Sequence, residues 1–276
     1  MNESWQHEIE VASCLAREAG TAIMDVYATS FAVAYKGPND PVTEADKRAN
    51  ELIVAGILNA FPKDSIVAEE TSDRSGALNE GRVWYIDPLD GTRDFIKKNG
   101  EFCVMIGLAV DGQAQLGVVY GPVEQVLFGG IADQIAWKEL NGARTTLSVS
   151  NITRPEALRL VVSRSHRSAL IDDLRASTGI VHEVRYGSVG LKVGLLAEGK
   201  ADVYIETSRL SSAWDACGPE AIIRGAGGHF TDMIGKTLQY GGHDLQNKHG
   251  LVATNGACHD FVITNLSPLA RQADVL

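Results

Sequence analysis

An apolar run that closes on two acids around a proline constrains this chain more than any other feature: Trp84-Tyr85-Ile86-Asp87-Pro88-Leu89-Asp90-Gly91-Thr92-Arg93. The pattern predicts a strand ending at Ile86, a proline turn, and a helix opened by Gly91 and Thr92 with Asp90 at its N-cap. Asp87 and Asp90 can converge on a hard cation, with the Leu89 carbonyl between them as a neutral oxygen ligand. The N–H groups of Gly91 and Thr92, free at a helix start, can hold a phosphate. Asp-Pro and Asp-Gly are also plain turn formers, so this segment alone leaves a purely structural turn open.

Four further acids, in three segments, accompany it. Glu69 and Glu70 end the apolar lead Val67-Ala68, where a solvated surface pair would need no such lead. Asp46 falls in the first turn of a helix after Pro41-Val42-Thr43, and Trp214-Asp215 heads a small-residue helix that runs into Gly225-Ala226-Gly227-Gly228. Asp46 and Asp215 each also suit the positive end of a helix dipole. The catalytic reading rests on all of these acids occurring together, in order.

The rest of the chain sets bounds. With 276 residues and no apolar run near the ~20 residues of a bilayer span, a membrane span is not expected. The start Met1-Asn2-Glu3-Ser4-Trp5-Gln6 lacks a basic segment followed by an apolar core, so the expected location is the cytoplasm. A net charge of -10 argues against nucleic-acid polymers and anionic membranes, yet it admits a small anionic substrate where bound cations reverse the local field. Cys14, Cys103, Cys217 and Cys258 are scattered and suit buried small hydrophobes, and no His pairs with another His or a Cys at zinc-ligand spacing.

Ile9, Ala12, Ala16, Ala19, Ile23 and Val26 alternate by three and four, which predicts an amphipathic helix ending near Tyr27. A second helix is expected from about Thr43 to Asn59. Strands are expected at Ser65–Ala68, Val83–Ile86, Cys103–Val110, Ala114–Tyr120 and Val126–Gly130, with Asp111-Gly112 as a hairpin turn. Beyond about Asn141 the pattern changes to a strand at Leu158–Ser163, helices at Arg167–Ser177 and Val189–Glu198, a strand at Val203–Ile205 and a helix at Trp214–Gly225. Helices layered on sheets in an α+β arrangement follow. A soft boundary near residue 145 divides an N-terminal α+β half (1–145) from a C-terminal α/β half (146–276), and the two share a cleft.

Asp46, Glu69-Glu70, Asp87-Pro88-Leu89-Asp90-Gly91-Thr92, Trp214-Asp215 and Ala226-Gly227-Gly228 together resemble the lithium-sensitive, magnesium-dependent phosphatases that include inositol monophosphatase. The resemblance covers nearly the whole chain. It implies a layered αβαβα sandwich, often a homodimer, and two or three Mg²⁺ per site. Glu69, Asp87 and the Leu89 carbonyl would hold one ion, Asp87, Asp90 and Asp215 a second, and Glu69 through water a weaker third. Asp46 and Thr92 would orient and help deprotonate the attacking water, Glu70 would support them, and the Gly91-Thr92 backbone would hold the phosphate. Oxygen ligands without thiols or paired imidazoles match Mg²⁺.

Thr92–Phe102, Gly117-Val118-Val119-Tyr120, Ser163-Arg164-Ser165-His166 and Ala197-Glu198-Gly199 are similar to bacterial 3'(2'),5'-bisphosphate nucleotidases, which remove the 3'-phosphate of adenosine 3',5'-bisphosphate. Lys97, Lys98, Arg164, His166 and Lys192 are then candidates for the second phosphate, His166 foremost. Gly187-Ser188-Val189-Gly190-Leu191-Lys192 departs from the usual Gly-Ser-Ser-Leu-Lys run, which touches substrate in that family; Gly187, Ser188 and Lys192 are carried over as substrate contacts. Glu206 sits near a glutamate that contacts sugar hydroxyls in inositol phosphatases, so an inositol or other sugar-phosphate phosphatase is the alternative. A noncatalytic metal or phosphate binder on the same scaffold would have no need of Asp46 with Thr92. Gly235-Lys236-Thr237 lacks the upstream glycine of a P-loop, and Gly225-Ala226-Gly227-Gly228 is no dinucleotide fingerprint.

Overall fold

Ile9, Ala12, Ala16, Ala19, Ile23 and Val26 form the buried stripe of α1 (Gln6–Tyr27), as their spacing predicts. The structure is a computed structural model that describes residues 5–37, 40–71, 81–165, 167–242, 244–273 and 276. A small hairpin, β1 (Val33–Gly37) and β2 (Asp40–Thr43), leads into α2 (Glu44–Ala60). Thr43 caps α2, and the Asp46 carboxylate accepts the Thr43 N–H at 2.8 Å.

A seven-stranded sheet follows in sequence order: β3 (Ser65–Ala68), β4 (Arg82–Asp90), β5 (Cys103–Val110), β6 (Gln113–Gly121), β7 (Val126–Ile131), β8 (Ile135–Leu140) and β9 (Ala143–Leu147). In this sheet only β3 and β4 run parallel, and they are joined by a longer connection in place of a hairpin. Asp111 (φ 49°) and Gly112 (φ 78°) turn β5 into β6 with the left-handed conformations that Asp-Gly tolerates. Along β4 side chains alternate between faces: Trp84 and Ile86 meet α1 and α2, whereas Val83 and Tyr85 face the opposite layer. Asp87 continues the second set.

The second sheet holds β10 (Arg159–Ser163), β11 (His182–Tyr186), β12 (Val203–Glu206), β13 (His229–Thr231) and β14 (Leu251–Thr254), in the order β11-β10-β12-β14-β13. Between the sheets lie α5 (Val189–Ala197) and α6 (Ala213–Gly225), which share one apolar core with both. The outer face of the second sheet is covered by α4 (Leu170–Thr178) and α7 (His259–Gln272). The layers therefore read αβαβα, the sandwich that the resemblance implies.

α6 touches the first sheet almost backbone to backbone. Gly107, Gly117 and Gly130 are cross-strand partners on β5, β6 and β7. A Cβ on Gly117 would lie 2.6 Å from Gly218 Cα, and one on Gly130 would lie 2.5 Å from Ile222 Cα. This glycine track fixes how deeply α6 sits, and hence where Asp215 in its first turn is held.

Two expectations need correction. β4 does not stop at Ile86 but runs to Asp90 through a register shift between Asp87 and Asp90. Asp90 is not the N-cap of the short α3 (Thr92–Ile96): Gly91 is, at φ 96°, a conformation that suits glycine. The Asp90 carboxylate turns inward instead.

Candidate active site

The carboxylate-bearing ends of β3, β4, β12 and α6 open onto one cleft of about 910 Å³. Glu69, Asp87, Asp90, Asp94, Glu206 and Asp215 line it, against Lys36, Arg93 and Lys192. Asp87, Asp90 and Asp215 each present an oxygen within 4.8 Å of the others. Asp87 comes from the face alternation of β4, Asp90 from the bulged strand end, and Asp215 from the capping turn of α6, where its carboxylate accepts the Ser212 N–H at 2.6 Å. Leu89 N–H donates to Asp87 Oδ1 at 2.9 Å, so the turn itself orients the first carboxylate.

Burial pushes the Asp87 and Asp215 carboxyls well above the usual carboxylate range, and neighbouring carboxylates push the same way. Burial likewise lifts Glu69 to about 7, opposed by Lys36. Like charges gathered out of water call for a counter-cation. The donors are all oxygens, with no Cys or His among the described residues lining the cleft, which fits a hard ion such as Mg²⁺.

Asp46 is buried beside this cluster. Its Oδ2 accepts Thr43 Oγ1 at 2.7 Å, and its Oδ1 lies 3.2 Å from Thr92 Oγ1. Thr92 Oγ1 is also 3.2 Å from the Leu89 carbonyl, so one hydroxyl proton has two acceptors. Burial raises the Asp46 pKa while its Thr43 bonds oppose. Lys36, from β1, donates to Glu69 at 2.6 Å and to Glu70 at 2.7 Å. Nothing in the sequence pattern singles out Lys36 or Arg93 as cleft residues.

The expected substrate contacts divide. Gly187, Ser188, Lys192 and Glu206 line the cleft, whereas His166 lies outside the described residues. Gly187 N–H is taken by Glu101 at 2.7 Å. Lys192 is 2% exposed, with its Nζ 5.0 Å from the Tyr204 ring centre, and burial lowers its pKa against the pull of Asp90, Glu206 and Asp94. Glu206 accepts the Ser208 N–H at 2.9 Å. Lys97, Lys98 and Arg164 do not line the cleft: Lys98 donates to the Tyr27 and Thr29 carbonyls, and Arg164 pairs with Glu101.

Residues 4–270 match the inositol monophosphatase family. The chain is 39% identical over 231 residues to the 3'(2'),5'-bisphosphate nucleotidase CysQ of Escherichia coli O157:H7, covering 82% of this chain and 91% of that one. It is 28% identical over 291 residues to inositol monophosphatase 1 of Rattus norvegicus, covering 99% of each. Among solved structures, CysQ from Bacteroides thetaiotaomicron superposes with a TM-score of 0.76 at 31% identity, covering 92% of this chain and 98% of that one. By its layered fold, the order of its acids and a match along almost its entire length, the chain belongs to the inositol monophosphatase family.

Proposed function

We propose that the protein is a Mg²⁺-dependent phosphomonoester hydrolase that converts adenosine 3',5'-bisphosphate to AMP and phosphate. The observation that carries the reading is the convergence of Asp87, Asp90 and Asp215 within 4.8 Å. The choice of nucleotide is supported by the 36–39% identity to relatives named 3'(2'),5'-bisphosphate nucleotidase. Residues 1–145 supply Asp46, Glu69, Asp87 and Asp90 and residues 146–276 supply Asp215, as two halves of one cytoplasmic enzyme.

Glu69, Asp87 and the Leu89 carbonyl are suited to hold one Mg²⁺ and Asp87, Asp90 and Asp215 a second, and Glu69 would hold a weaker third through water. Bound there, Mg²⁺ supplies acidification of water and stabilisation of the leaving alkoxide. The chain's own groups do the rest. Thr92 Oγ1 donates to Asp46 Oδ1 and so turns a lone pair toward the attacking water, whose proton passes to the Asp46 side. Glu70, tied to Lys36, keeps that hairpin over the site. The Gly91 and Thr92 N–H groups receive the phosphate oxygens. Water oxygen bonds to phosphorus, the ester P–O bond breaks, the freed alkoxide takes a proton from solvent water, and the proton held on the Asp46 side returns to solvent. Lys192 meets the second phosphate, with Gly187 and His166 as the other expected neighbours.

An inositol or sugar-phosphate phosphatase is the second reading, favoured by Glu206: it is 6% exposed in the cleft wall and accepts sugar hydroxyls naturally. Asp90→Asn tests the shared chemistry. Mg²⁺-dependent phosphate release should fall by a factor of at least about 100 while the circular dichroism spectrum is unchanged. Undiminished turnover would remove the phosphatase assignment.

A further inference from the structure

Ser188 occupies a backbone conformation that belongs to glycine. Its φ of 59° and ψ of 133° lie where a side chain is strained, although the chain places true glycines at 187 and 190 on either side. What the side chain gains for that strain is visible in its contacts. Ser188 Oγ donates to Asp90 Oδ2 at 2.6 Å, accepts the Leu191 N–H at 3.2 Å, and lies 3.1 Å from Cys103 Sγ. A hydroxyl has one proton and two lone pairs. The proton goes to Asp90, one lone pair takes the Leu191 N–H, and the other faces Cys103 Sγ, whose own proton also has Asp90 Oδ2 within 3.9 Å. The residue is also 5% exposed. Its polar contacts are all made within the protein.

Gly190 N–H, at the start of α5, reaches the same Asp90 Oδ2 at 3.1 Å. These bonds, and the longer Cys103 Sγ contact at 3.9 Å, all fall on Oδ2, and none among the described residues falls on Oδ1, which leaves that oxygen for a cation. The two carboxylate oxygens thus have separate tasks.

We infer that Ser188 is a positioning residue: a strained serine that fixes the Asp90 carboxylate for metal binding, at the expense of fold stability, and does not itself contact substrate. The inference rests on the metal-dependent phosphatase reading. It also revises the expectation that Ser188 touches substrate.

Ser188→Gly removes hydroxyl and strain together, whereas Ser188→Ala removes the hydroxyl and keeps the strain. Both variants and the unaltered protein are melted in chelator, titrated with Mn²⁺ calorimetrically without substrate, and assayed for KM. Ser188→Gly should melt at or above the unaltered protein yet bind Mn²⁺ roughly 10- to 100-fold more weakly. Ser188→Ala should bind Mn²⁺ equally weakly and melt lowest. KM for adenosine 3',5'-bisphosphate at saturating Mn²⁺ should stay within about threefold. Unchanged Mn²⁺ affinity in Ser188→Gly overturns the inference, and so does a large rise in KM at saturating Mn²⁺, which marks a substrate contact. A lower melting point for Ser188→Gly than for the unaltered protein overturns the strain argument. No Mn²⁺ uptake by the unaltered protein would instead sink the phosphatase reading itself.

Discussion

Gly117→Ala would strike the metal cluster from the far side of α6. The added Cβ would lie 2.6 Å from Gly218 Cα and nearer still to the Gly218 carbonyl oxygen. Carbon atoms in contact sit at about 3.5–4.0 Å, so helix and sheet must part by roughly 1 Å. Neither side yields easily, because each obstructing atom is backbone. Overpacking of this kind costs about 1–3 kcal/mol. For a chain of this size that corresponds to a melting point lower by roughly 2–10 °C. Asp215 lies three residues before Gly218, less than one helical turn away, so most of the displacement reaches its carboxylate. A metal site tolerates about 0.5 Å, and a 1 Å misplacement costs on the order of 100-fold in rate. Calorimetric melting and Mn²⁺ titration of Gly117→Ala read both effects. Retention of both the melting point and the Mn²⁺ affinity would refute the argument that the glycine track sets Asp215.

Other expectations concern the cleft itself. Burial lifts the Glu69 pKa from the ordinary glutamate range to about 7, so the metal-free fold loses stability as pH rises through that interval. A cation cancels this loss, and the rise in melting temperature caused by Mg²⁺ should therefore be larger at pH 8 than at pH 5.5; an equal rise at both would contradict the assignment of Glu69 to the cluster. Thr92→Val removes the hydroxyl that lies 3.2 Å from Asp46, and kcat should fall by about 10²- to 10⁴-fold with Mn²⁺ affinity little changed. Steady-state kinetics beside a metal titration separate that result from simple loss of metal. Lys98→Ala should leave KM for the bisphosphate unaltered, because its ammonium is bonded to the Tyr27 and Thr29 carbonyls. A severalfold increase would return Lys98 to the substrate site.

Where periodicity and local turn chemistry decide the structure, the chain is readable from its residues. The stripe of α1, the Asp111-Gly112 hairpin and the strands around it all appear where their spacing puts them. β11 is not legible: on this edge strand His182, Val184 and Arg185 are exposed and no residue is fully buried, so no apolar alternation marks it. β9 is hidden for the same reason, with Ala143 to Thr146 exposed. The spacing of Val262, Leu266 and Ala270 in α7 is a helical signal present in the residues themselves. At the site, the order of acids from Asp46 to Asp215 marks the residues that gather. Which oxygen of Asp90 is held, and by whom, depends on the approach of α5 to β4 across nearly a hundred residues of chain, and no local pattern encodes it. The glycine track is similar: Gly107, Gly117 and Gly130 become neighbours only through strand register. Lys36 reaches Glu69 and Glu70 only once the hairpin has folded over the cleft.

Phosphate release from adenosine 3',5'-bisphosphate, inositol 1-phosphate and fructose 1,6-bisphosphate, measured side by side with Mg²⁺ and again with chelator, tests the central claim most directly. All turnover should vanish in chelator, and kcat/KM for the nucleotide should lead by at least about tenfold, or ~1.4 kcal/mol of transition-state preference. A lead for inositol 1-phosphate would contradict the nucleotidase assignment and make Glu206 the better guide to substrate, and turnover that survives the chelator would contradict the metal-dependent mechanism altogether.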